Sequence, residues 1–520
     1  MKSPAKQCSL DPVPTWLVKC HSDIFAPVVT DICNASFQQV KFPQCCKTAI
    51  IRPRLKQRTL DPNDLGSYRP ISNLGFLSKV VEKVVDARLA EHVNRHRLLP
   101  VVQSAHRPLH STETAILRVL NDMIGVVDQG HIGALMLLDL SAAFDTVDHS
   151  ILMEVLRRRF GVEGNALGWL AEFLRERSQV VRVGESESDS LPLHFGVPQG
   201  SVLGPKRFIE YTEDVDDLFV RHSMRHHLFA DDMQGFRSGD PSDISVIVTG
   251  VEDCVSDVSS WSAAKRLQLN ATKTEILWFG SETKLRKLSP ENRVISVGQS
   301  VIQPVTVVRD LGVLIDGELS MRQHVTRLAQ TCFFHLRRLR SLRRQLGRDV
   351  MARLVSALVL SRLDYCNAVL TGLPASTLAP LQRVLHAAAR VVMDLRPRDH
   401  VSSALRELHW LPIKQRIEFK LCLLVHKSLI GHSPAYISDL LTSAADVPGR
   451  PALRTASRGD FIVPRTNRKF GDRAFCVAAP RVWNRLPADL RQLRSMQTFR
   501  RHLKTFLFAA GKTRMIGEKL

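Results

Sequence analysis

Two strand-length apolar segments that end in acidic residues constrain the fold of this chain more than any other feature. The first, Leu228-Phe229-Ala230-Asp231-Asp232, is soon followed by Gly235. Apolar residues before an Asp-Asp corner predict a tight β-hairpin at the end of a buried strand. The second, residues 134–139, is an apolar run that ends in Asp139. Because Asp is also common in purely structural turns, only the two segments together indicate a site.

Asp139, Asp231 and Asp232 would repel one another at the ends of neighbouring strands unless a cation lay between them. Carboxylates without accompanying Cys or His ligands suit Mg²⁺, which binds a few carboxylates together with substrate phosphates. Two such ions can stabilise the attacking and leaving oxygens of an in-line phosphoryl displacement. The residues therefore indicate the chemistry of a polymerase or a nuclease, and at this point they leave both open.

The charge of the chain indicates a polyanionic partner. Lys and Arg total 72 against 51 for Asp and Glu, a net charge of +21, which suits a phosphate backbone, although a merely basic protein has the same composition. Ten scattered cysteines without a C-x-x-C pair predict reduced thiols in an intracellular protein. The N-terminus lacks the apolar core of a signal peptide, and no run of about 18 apolar residues is present, so we expect no membrane partner.

Two further segments have informative composition. Residues 196–205 contain three Gly and two Pro, which impose defined turns and can bring backbone close to a ligand, or simply form a connection. From about Met321 the pattern is helical and strongly basic, with arginines between leucines. Such helices pack on one face, and the other face either tracks a nucleic-acid backbone or is only solvated.

In their order along the chain, these motifs resemble the reverse transcriptases of LINE-type (non-LTR) retrotransposons, particularly the Jockey-like branch. The resemblance covers nearly the whole chain. The segments that carry it are residues 68–72, 103–112, 138–145, 196–205, 229–232, 270–274 and 311–313, followed by 410–412, 473–475, 479–487 and 503–505.

The resemblance implies an α+β right-hand polymerase, with fingers, a palm containing an antiparallel sheet and a helical thumb, plus a mostly helical C-terminal region. The implied domains are an N-terminal extension (1–45), reverse transcriptase fingers and palm (46–318), a basic helical thumb (319–395) and a C-terminal retroelement region (396–520). A long helix is predicted from about Phe76 to Asn94 by its apolar periodicity.

The resemblance also implies roles for individual residues. Asp139, Asp231 and Asp232 are expected to hold two Mg²⁺ ions, with Mn²⁺ as an alternative. Lys273 is the candidate general acid for the leaving pyrophosphate. Residues 311–312 would belong to the primer grip.

Five residues are expected to bind the nucleotide. Phe144 falls where these enzymes place an aromatic gate, whose ring leaves no room for a 2′-hydroxyl. Gln199 and Gly200 would lie beside the incoming nucleotide. Arg69 and Arg107 would face the triphosphate or the template, because guanidinium groups match phosphate geometry.

One helix departs from the family pattern. Lys206, Arg207, Glu210 and Thr212 stand where the family has apolar side chains. Each lost apolar burial removes roughly 1.5–3 kcal/mol, and an unpaired buried charge costs more. Either the helix rotates or extends its long side chains toward solvent, or the palm is disabled.

The implied function is RNA-directed DNA polymerase activity, in which a primer 3′-hydroxyl is extended with dNTPs. The expected partners are an RNA template, a DNA primer or target and dNTPs; the sequence leaves the oligomeric state open. Nucleus and cytoplasmic ribonucleoprotein are the expected locations. The alternative is a catalytically decayed remnant that binds nucleic acid. A two-metal nuclease ranks last, because it gives Phe144, Gln199 and Lys273 no purpose.

Overall fold

The computed structural model describes residues 8–57, 59–297, 300–396, 398–446 and 458–517, so residues 1–7 of the predicted N-terminal extension lie outside it. The helices are α1 (Thr15–Cys20), α2 (Ser22–Gln38), α3 (Phe76–Arg95), α4 (Thr112–Asp128), α5 (His149–Arg158), α6 (Gly164–Leu174), α7 (Gly204–Tyr211), α8 (Val215–Arg221), α9 (Ile244–Ala264), α10 (Glu282–Leu285), α11 (Arg322–Leu342), α12 (Arg348–Val355), α13 (Ser361–Asp364), α14 (Ala375–Met393), α15 (Ser402–Glu407), α16 (Ile413–Leu429), α17 (Ala435–Ser438), α18 (Phe475–Trp483), α19 (Ala488–Arg491) and α20 (Met496–Gly517). The strands are β1 (Thr48–Leu55), β2 (Tyr68–Asn73), β3 (Ile132–Leu138), β4 (Leu140–Ser141), β5 (Ser178–Val183), β6 (Ser186–Glu187), β7 (Leu191–Pro192), β8 (Arg225–Phe229), β9 (Asp232–Gly239), β10 (Gln268–Leu269), β11 (Glu275–Phe279), β12 (Ile295–Val297), β13 (Ser300–Ile302), β14 (Val307–Asp310) and β15 (Val313–Asp316).

A four-stranded antiparallel sheet in the order β11-β3-β9-β8 contains both acidic segments. Strand β3 is almost entirely apolar and buried, as expected of a strand covered on both faces. Leu138 lies opposite Met233 in the register of β3 and β9. Asp139, which directly follows β3, and Asp232, the first residue of β9, are therefore adjacent at one end of the sheet's central strands.

A second sheet, in the order β2-β1-β5-β6 with β7 also paired to β5, lies within residues 46–318, the predicted fingers and palm. Strand β1 pairs antiparallel with β2 and parallel with β5. The predicted helix over residues 76–94 is α3. Together with the 53% helix and 14% strand content, the sheets and helices confirm the α+β prediction.

The packed helices form two hydrophobic cores. The core beside the four-stranded sheet includes Phe173 of α6, Phe219 of α8 and Val255 of α9. The other core joins α4 to the helices after residue 319, through residues such as Met123, Val325, Leu385, Leu421 and Phe499. The predicted thumb and C-terminal region thus share one core with α4. Among the described residues, no helix is both long and apolar enough to cross a membrane.

Candidate active site

The turn between β8 and β9 is held by a buried glutamine. Ala230 lies in this turn with φ of +57°, an unusual conformation for a residue with a side chain. Its N–H donates to Oε1 of Gln103 at 3.2 Å, and the same oxygen accepts from Ala105 N at 2.9 Å. Gln103 therefore fixes the strained turn that presents Asp231. Gln103 belongs to the segment 103–112 that carries the family resemblance, but its sequence context predicts no role for it.

The three carboxylates act on one another electrostatically. Burial, with the charges of Asp231 and Asp139, raises the pKa of Asp232 to about 6. Burial also raises the pKa of Asp231, and Asp139 adds to this, whereas Arg69 and Lys273 oppose it. The fold thus brings together the three acids that the sequence singled out, with Arg69 and Lys273 near enough to influence them.

The chemistry of these donors fits a divalent cation. Within the described part of the chain, the carboxylate of Asp232 accepts no hydrogen bond and forms no ion pair. Hard oxygen ligands that repel one another are stabilised by a cation such as Mg²⁺. No group of three His, Cys, Asp or Glu side chains in the described ranges has the spacing of a metal site. The carboxylates therefore lie at one end of the sheet's strands without a preformed set of metal ligands.

Lys273 reaches the site from a tight turn. The side chain of Asn270 accepts hydrogen bonds from Thr272 N at 3.1 Å and Lys273 N at 3.2 Å, which folds residues 270–273 into a turn. Asn270 N in turn donates to the backbone oxygen of Asp139 at 2.9 Å. This arrangement places Lys273 Nζ 2.7 Å from Oδ2 of Asp139.

A fourth carboxylate, which the sequence analysis missed, lies behind the site. Asp310 is buried at the end of β14, and its burial together with the charge of Asp232 raises its pKa to about 8. The side-chain amide of Gln234 contacts the carboxyl group of Asp310. Asp310, Asp139, Asp232 and Lys273 line a cavity of about 170 Å³. Local sequence pattern could not reveal this contact, because β14 lies far along the chain.

The 196–205 loop docks closely against its neighbours. Gly200 has φ of +138°, and a Cβ atom there would lie 2.2 Å from the backbone oxygen of Ser72. Ser72 N donates to the backbone oxygen of Gln199 at 2.8 Å. The side chain of Gln199 donates to Asp145 Oδ1 at 3.1 Å. Only glycine fits at position 200, so the loop is a shaped element and not a simple connection.

A buried glutamate, also missed by sequence reasoning, anchors the far end of this loop. Glu82 Oε2 accepts hydrogen bonds from Val202 N at 2.7 Å and Leu203 N at 3.1 Å. Its other oxygen accepts from the Ser78 hydroxyl at 2.9 Å. Burial raises the pKa of Glu82, and these hydrogen bonds oppose that rise. Helix α3 thus sets the position of the loop.

Phe144 is half-buried, and its ring stacks on that of Phe208 with 4.6 Å between centroids. Arg69 is exposed on β2 and close enough to lower the pKa of Asp231. Arg107 is arranged differently. Its guanidinium donates to the backbone oxygens of Pro100 at 2.6 Å and Gln103 at 3.0 Å, not to the carboxylates. The nucleotide-binding role of Arg107 stays a prediction.

The unusual helix α7 accommodates its polar residues by pairing them. Lys206 Nζ lies 2.7 Å from Oδ1 of Asp86 on α3. Arg207 and Glu210, both buried, form an ion pair of 2.7 Å along the helix. Thr212 donates its hydroxyl to the backbone oxygen of Phe208 at 3.1 Å. Each residue that departs from the pattern therefore has a partner, but Nε and Nη1 of Arg207 and Oε2 of Glu210 are buried without a hydrogen-bond partner among the described residues.

The sequence of this chain is similar to those of known polymerases. Residues 55–313 match the family model described as "Reverse transcriptase (RNA-dependent DNA polymerase)". The chain is 27% identical over 283 residues to the probable RNA-directed DNA polymerase from transposon BS of Drosophila melanogaster, covering 53% of this chain and 30% of that protein. It is 29% identical over 305 residues to the corresponding X-element protein of the same organism, covering 57% and 32%.

The chain thus spans about a third of the length of the curated relatives that it matches. Among solved structures, it is similar to apo telomerase from Candida tropicalis, with 15% identity and a TM-score of 0.36 over 53% of this chain and 54% of that one.

Proposed function

We propose that this chain, whose residues 55–313 match the reverse transcriptase family model, catalyses RNA-directed DNA synthesis. In the proposed reaction, a primer 3′-hydroxyl attacks the α-phosphate of a dNTP, and pyrophosphate leaves. The expected substrates are an RNA template, a DNA primer or target and dNTPs, as the resemblance to non-LTR retrotransposon enzymes implies. Such an enzyme has to meet both RNA and genomic DNA, so we expect it in the nucleus, in a cytoplasmic ribonucleoprotein, or in both.

One observation supports this proposal most strongly: Asp139, Asp231 and Asp232 lie together at one end of the strands of the four-stranded sheet. Reverse transcriptases generally use divalent metal ions. We assign these three carboxylates as ligands of two Mg²⁺ ions, which, when bound, supply charge stabilisation for the attacking and leaving oxygens. The chain itself keeps the carboxylates in position, through the paired ends of the strands and through the turn that Gln103 holds.

Lys273 is the proposed proton donor to the leaving pyrophosphate. Its ammonium group already lies 2.7 Å from Asp139 and is mostly exposed, so it can move toward a bound triphosphate without breaking a buried contact. A general acid must reach its acceptor within hydrogen-bond distance. The position of Lys273 beside the carboxylates is consistent with that requirement.

Four residues are proposed to hold the nucleotide. Phe144, seated on Phe208, would present a fixed ring edge to the sugar and exclude a 2′-hydroxyl. Gln199 and Gly200 would line the base or sugar side, because the 196–205 loop is fixed against β2 and α3. Arg69 would contact phosphate, since its charge already acts on Asp231.

Support for a nucleic-acid cleft comes from the β14–β15 hairpin and the first thumb helices. A cavity of about 740 Å³ there is lined by Arg309, Arg327 and Arg362, none of which forms an ion pair with a described residue. Tyr365 donates its hydroxyl to the backbone oxygen of Leu311 at 2.6 Å and so fixes the proposed primer grip. Unpaired arginines at this place suit the phosphates of a template–primer duplex.

The test is incorporation of labelled dNTP on a primed RNA template, with Mg²⁺ and with EDTA. We expect Mg²⁺-dependent extension by the unmodified chain, loss of extension in Asp231→Ala, and normal extension in Asp189→Ala, which removes an exposed acid outside the site. If the unmodified chain is as inactive as Asp231→Ala under all conditions, the proposed function is wrong.

A further inference from the structure

The outer strand of the four-stranded sheet is covered by residues 102–104, which lie between α3 and α4. Strand β8 is the edge strand of that sheet. Leu228 N donates to Val102 O at 3.0 Å, and Ser104 N donates to Leu228 O at 2.9 Å. Residues 102–104 therefore extend the sheet beside the strand that leads into Asp231 and Asp232, and whatever fixes this segment also fixes that strand.

A buried tyrosine from the C-terminal region contacts this segment. Tyr436 of α17 is 2% exposed, and its hydroxyl lies 2.7 Å from Oγ of Ser104. The Ser104 hydroxyl also lies 2.8 Å from Nε2 of His227, a buried residue of β8. The rings of Tyr436 and His227 meet edge to face at 4.8 Å. One hydroxyl thus connects residues from three distant parts of the chain.

These hydrogen bonds form one series in which each hydroxyl group donates to the next acceptor. Tyr436 donates to Thr114 Oγ1 at 2.9 Å, and Thr114 donates to the backbone oxygen of Ser111 at 2.9 Å. Since the tyrosine proton is used in this way, Ser104 must donate to Tyr436 and accept from Nε2–H of His227. The buried Nδ1 of His227 has no partner in the described structure, which agrees with this tautomer. The hydroxyl groups of Ser104, Tyr436 and Thr114 therefore each donate one hydrogen bond and accept another.

The tyrosine is itself fixed by α4. The guanidinium of Arg118 donates to the backbone oxygen of Tyr436 at 3.1 Å, and Asp122 holds that guanidinium at 2.8 Å. Tyr436 is thus anchored at its backbone and at its hydroxyl. A residue held at both ends can fix the position of the segment that it contacts, in addition to filling space.

We propose that Tyr436 is a positioning residue of the polymerase: through Ser104 and His227 it holds strand β8, and with it the hairpin that carries Asp231 and Asp232, in the geometry needed for catalysis. Through this contact, the C-terminal region would help to maintain the geometry of the polymerase site. The proposal rests on the proposed function, but its structural half can be measured without catalysis.

The test compares Tyr436→Phe, Ser104→Ala and the double variant with the unmodified full chain. Tyr436→Phe removes one hydroxyl and keeps the ring. The matched control is Asp128→Asn, which weakens a different contact between α4 and the C-terminal region, where Asp128 accepts from the backbone N–H groups of Asn467 at 2.9 Å and Arg468 at 2.8 Å. At a rise of 1.5 Å per residue, this contact lies about 20 Å along α4 from Thr114.

The readouts are kcat and KM for dNTP on a primed RNA template, and amide hydrogen exchange of peptides that cover residues 228–233. For Tyr436→Phe we expect kcat to fall roughly tenfold with KM nearly unchanged, and exchange in the hairpin to accelerate by a similar factor. Because the two residues act through one chain of hydrogen bonds, the double variant should be no worse than the worse single variant. Asp128→Asn should leave kcat and hairpin exchange near those of the unmodified chain.

If Tyr436→Phe matches the unmodified chain in both readouts, or if Asp128→Asn lowers kcat equally, the proposal is overturned. Strictly multiplicative effects in the double variant would also overturn it. If the unmodified chain does not polymerise, the proposed function fails, and the exchange data alone then decide: unchanged exchange in Tyr436→Phe rejects the contact as a restraint, and faster exchange confined to residues 228–233 supports it.

Discussion

Lys273 Nζ lies 2.7 Å from Oδ2 of Asp139, and this pair joins the turn after β10 to the end of β3. The lysine side chain is 60% exposed, so solvent screens the pair and its contribution to stability is small. Its significance lies in placement. An exposed cation lies beside three mutually repelling carboxylates, where substrate phosphates are expected to bind.

We predict that Lys273→Met lowers kcat by roughly 100-fold or more, within the range of general acid catalysis. The measurement is the rate of single-turnover dNTP incorporation. Lys287→Met, which removes an exposed lysine outside the site, serves as the control. An unchanged rate in Lys273→Met would exclude the proton-donor role.

We predict that Phe144→Val admits ribonucleotides, because it removes the ring that stacks on Phe208 and opens space beside the sugar. The ratio of kcat/KM for rNTP to that for dNTP should rise by roughly 10- to 100-fold, the discrimination available from steric contacts of this size. Primer extension with each nucleotide measures it. Phe195→Val, at a phenylalanine that is 52% exposed, should leave the ratio unchanged; a similar rise in both variants would contradict the gate.

We predict that Gly200→Ala disturbs nucleotide binding. A methyl group at this position would meet the backbone oxygen of Ser72, and φ of +138° is strained for alanine. KM for dNTP should rise by about tenfold or more because the 196–205 loop must shift. Gly347→Ala, where a Cβ atom meets nothing within 4 Å, is the matched control. Equal KM values in the two variants would show that the loop does not bind the nucleotide.

We predict that the buried pair of α7 is sensitive to single but not to double replacement. Arg207→Leu leaves the buried Glu210 carboxylate without its partner and should cost about 3–5 kcal/mol of unfolding free energy. Arg207→Leu with Glu210→Leu removes both charges and should be near neutral or stabilising. Urea denaturation measures both, with Glu154→Gln at an exposed helical pair as the control. A double variant as unstable as the single one would contradict this account.

We predict that Glu210 makes stability depend on pH. Burial raises its pKa from the ordinary 4.5 to about 7, against the opposing charge of Arg207. Between these values the folded state binds the proton more tightly than the unfolded state, so stability falls as pH rises from about 4.5 to about 7, at up to about 1.4 kcal/mol per pH unit. In Glu210→Gln this loss should be absent. Urea denaturation at pH 5 and pH 8 tests it, and equal slopes in both proteins would refute the assignment.

Local pattern was sufficient for much of the architecture. The apolar runs before Asp139 and Asp231 predicted two strands, which are β3 and β8. Helical periodicity predicted α3, and the basic pattern after Met321 predicted α11. These features follow from periodicity and turn chemistry within a few residues, which a sequence records directly.

Contacts between distant segments were not predictable in this way. Tyr436 and Ser104, Glu82 and Val202, and Asp310 and Asp232 each meet only because of how the helices and sheets pack. The departures in α7 show the same limit, because the sequence identified misplaced charges and only the fold supplied their partners. The sequence alone thus determined the strands, their carboxylate ends and the class of chemistry. Tertiary structure decided which buried groups hold those carboxylates in place, since such partners are chosen by packing across long separations and leave no local pattern.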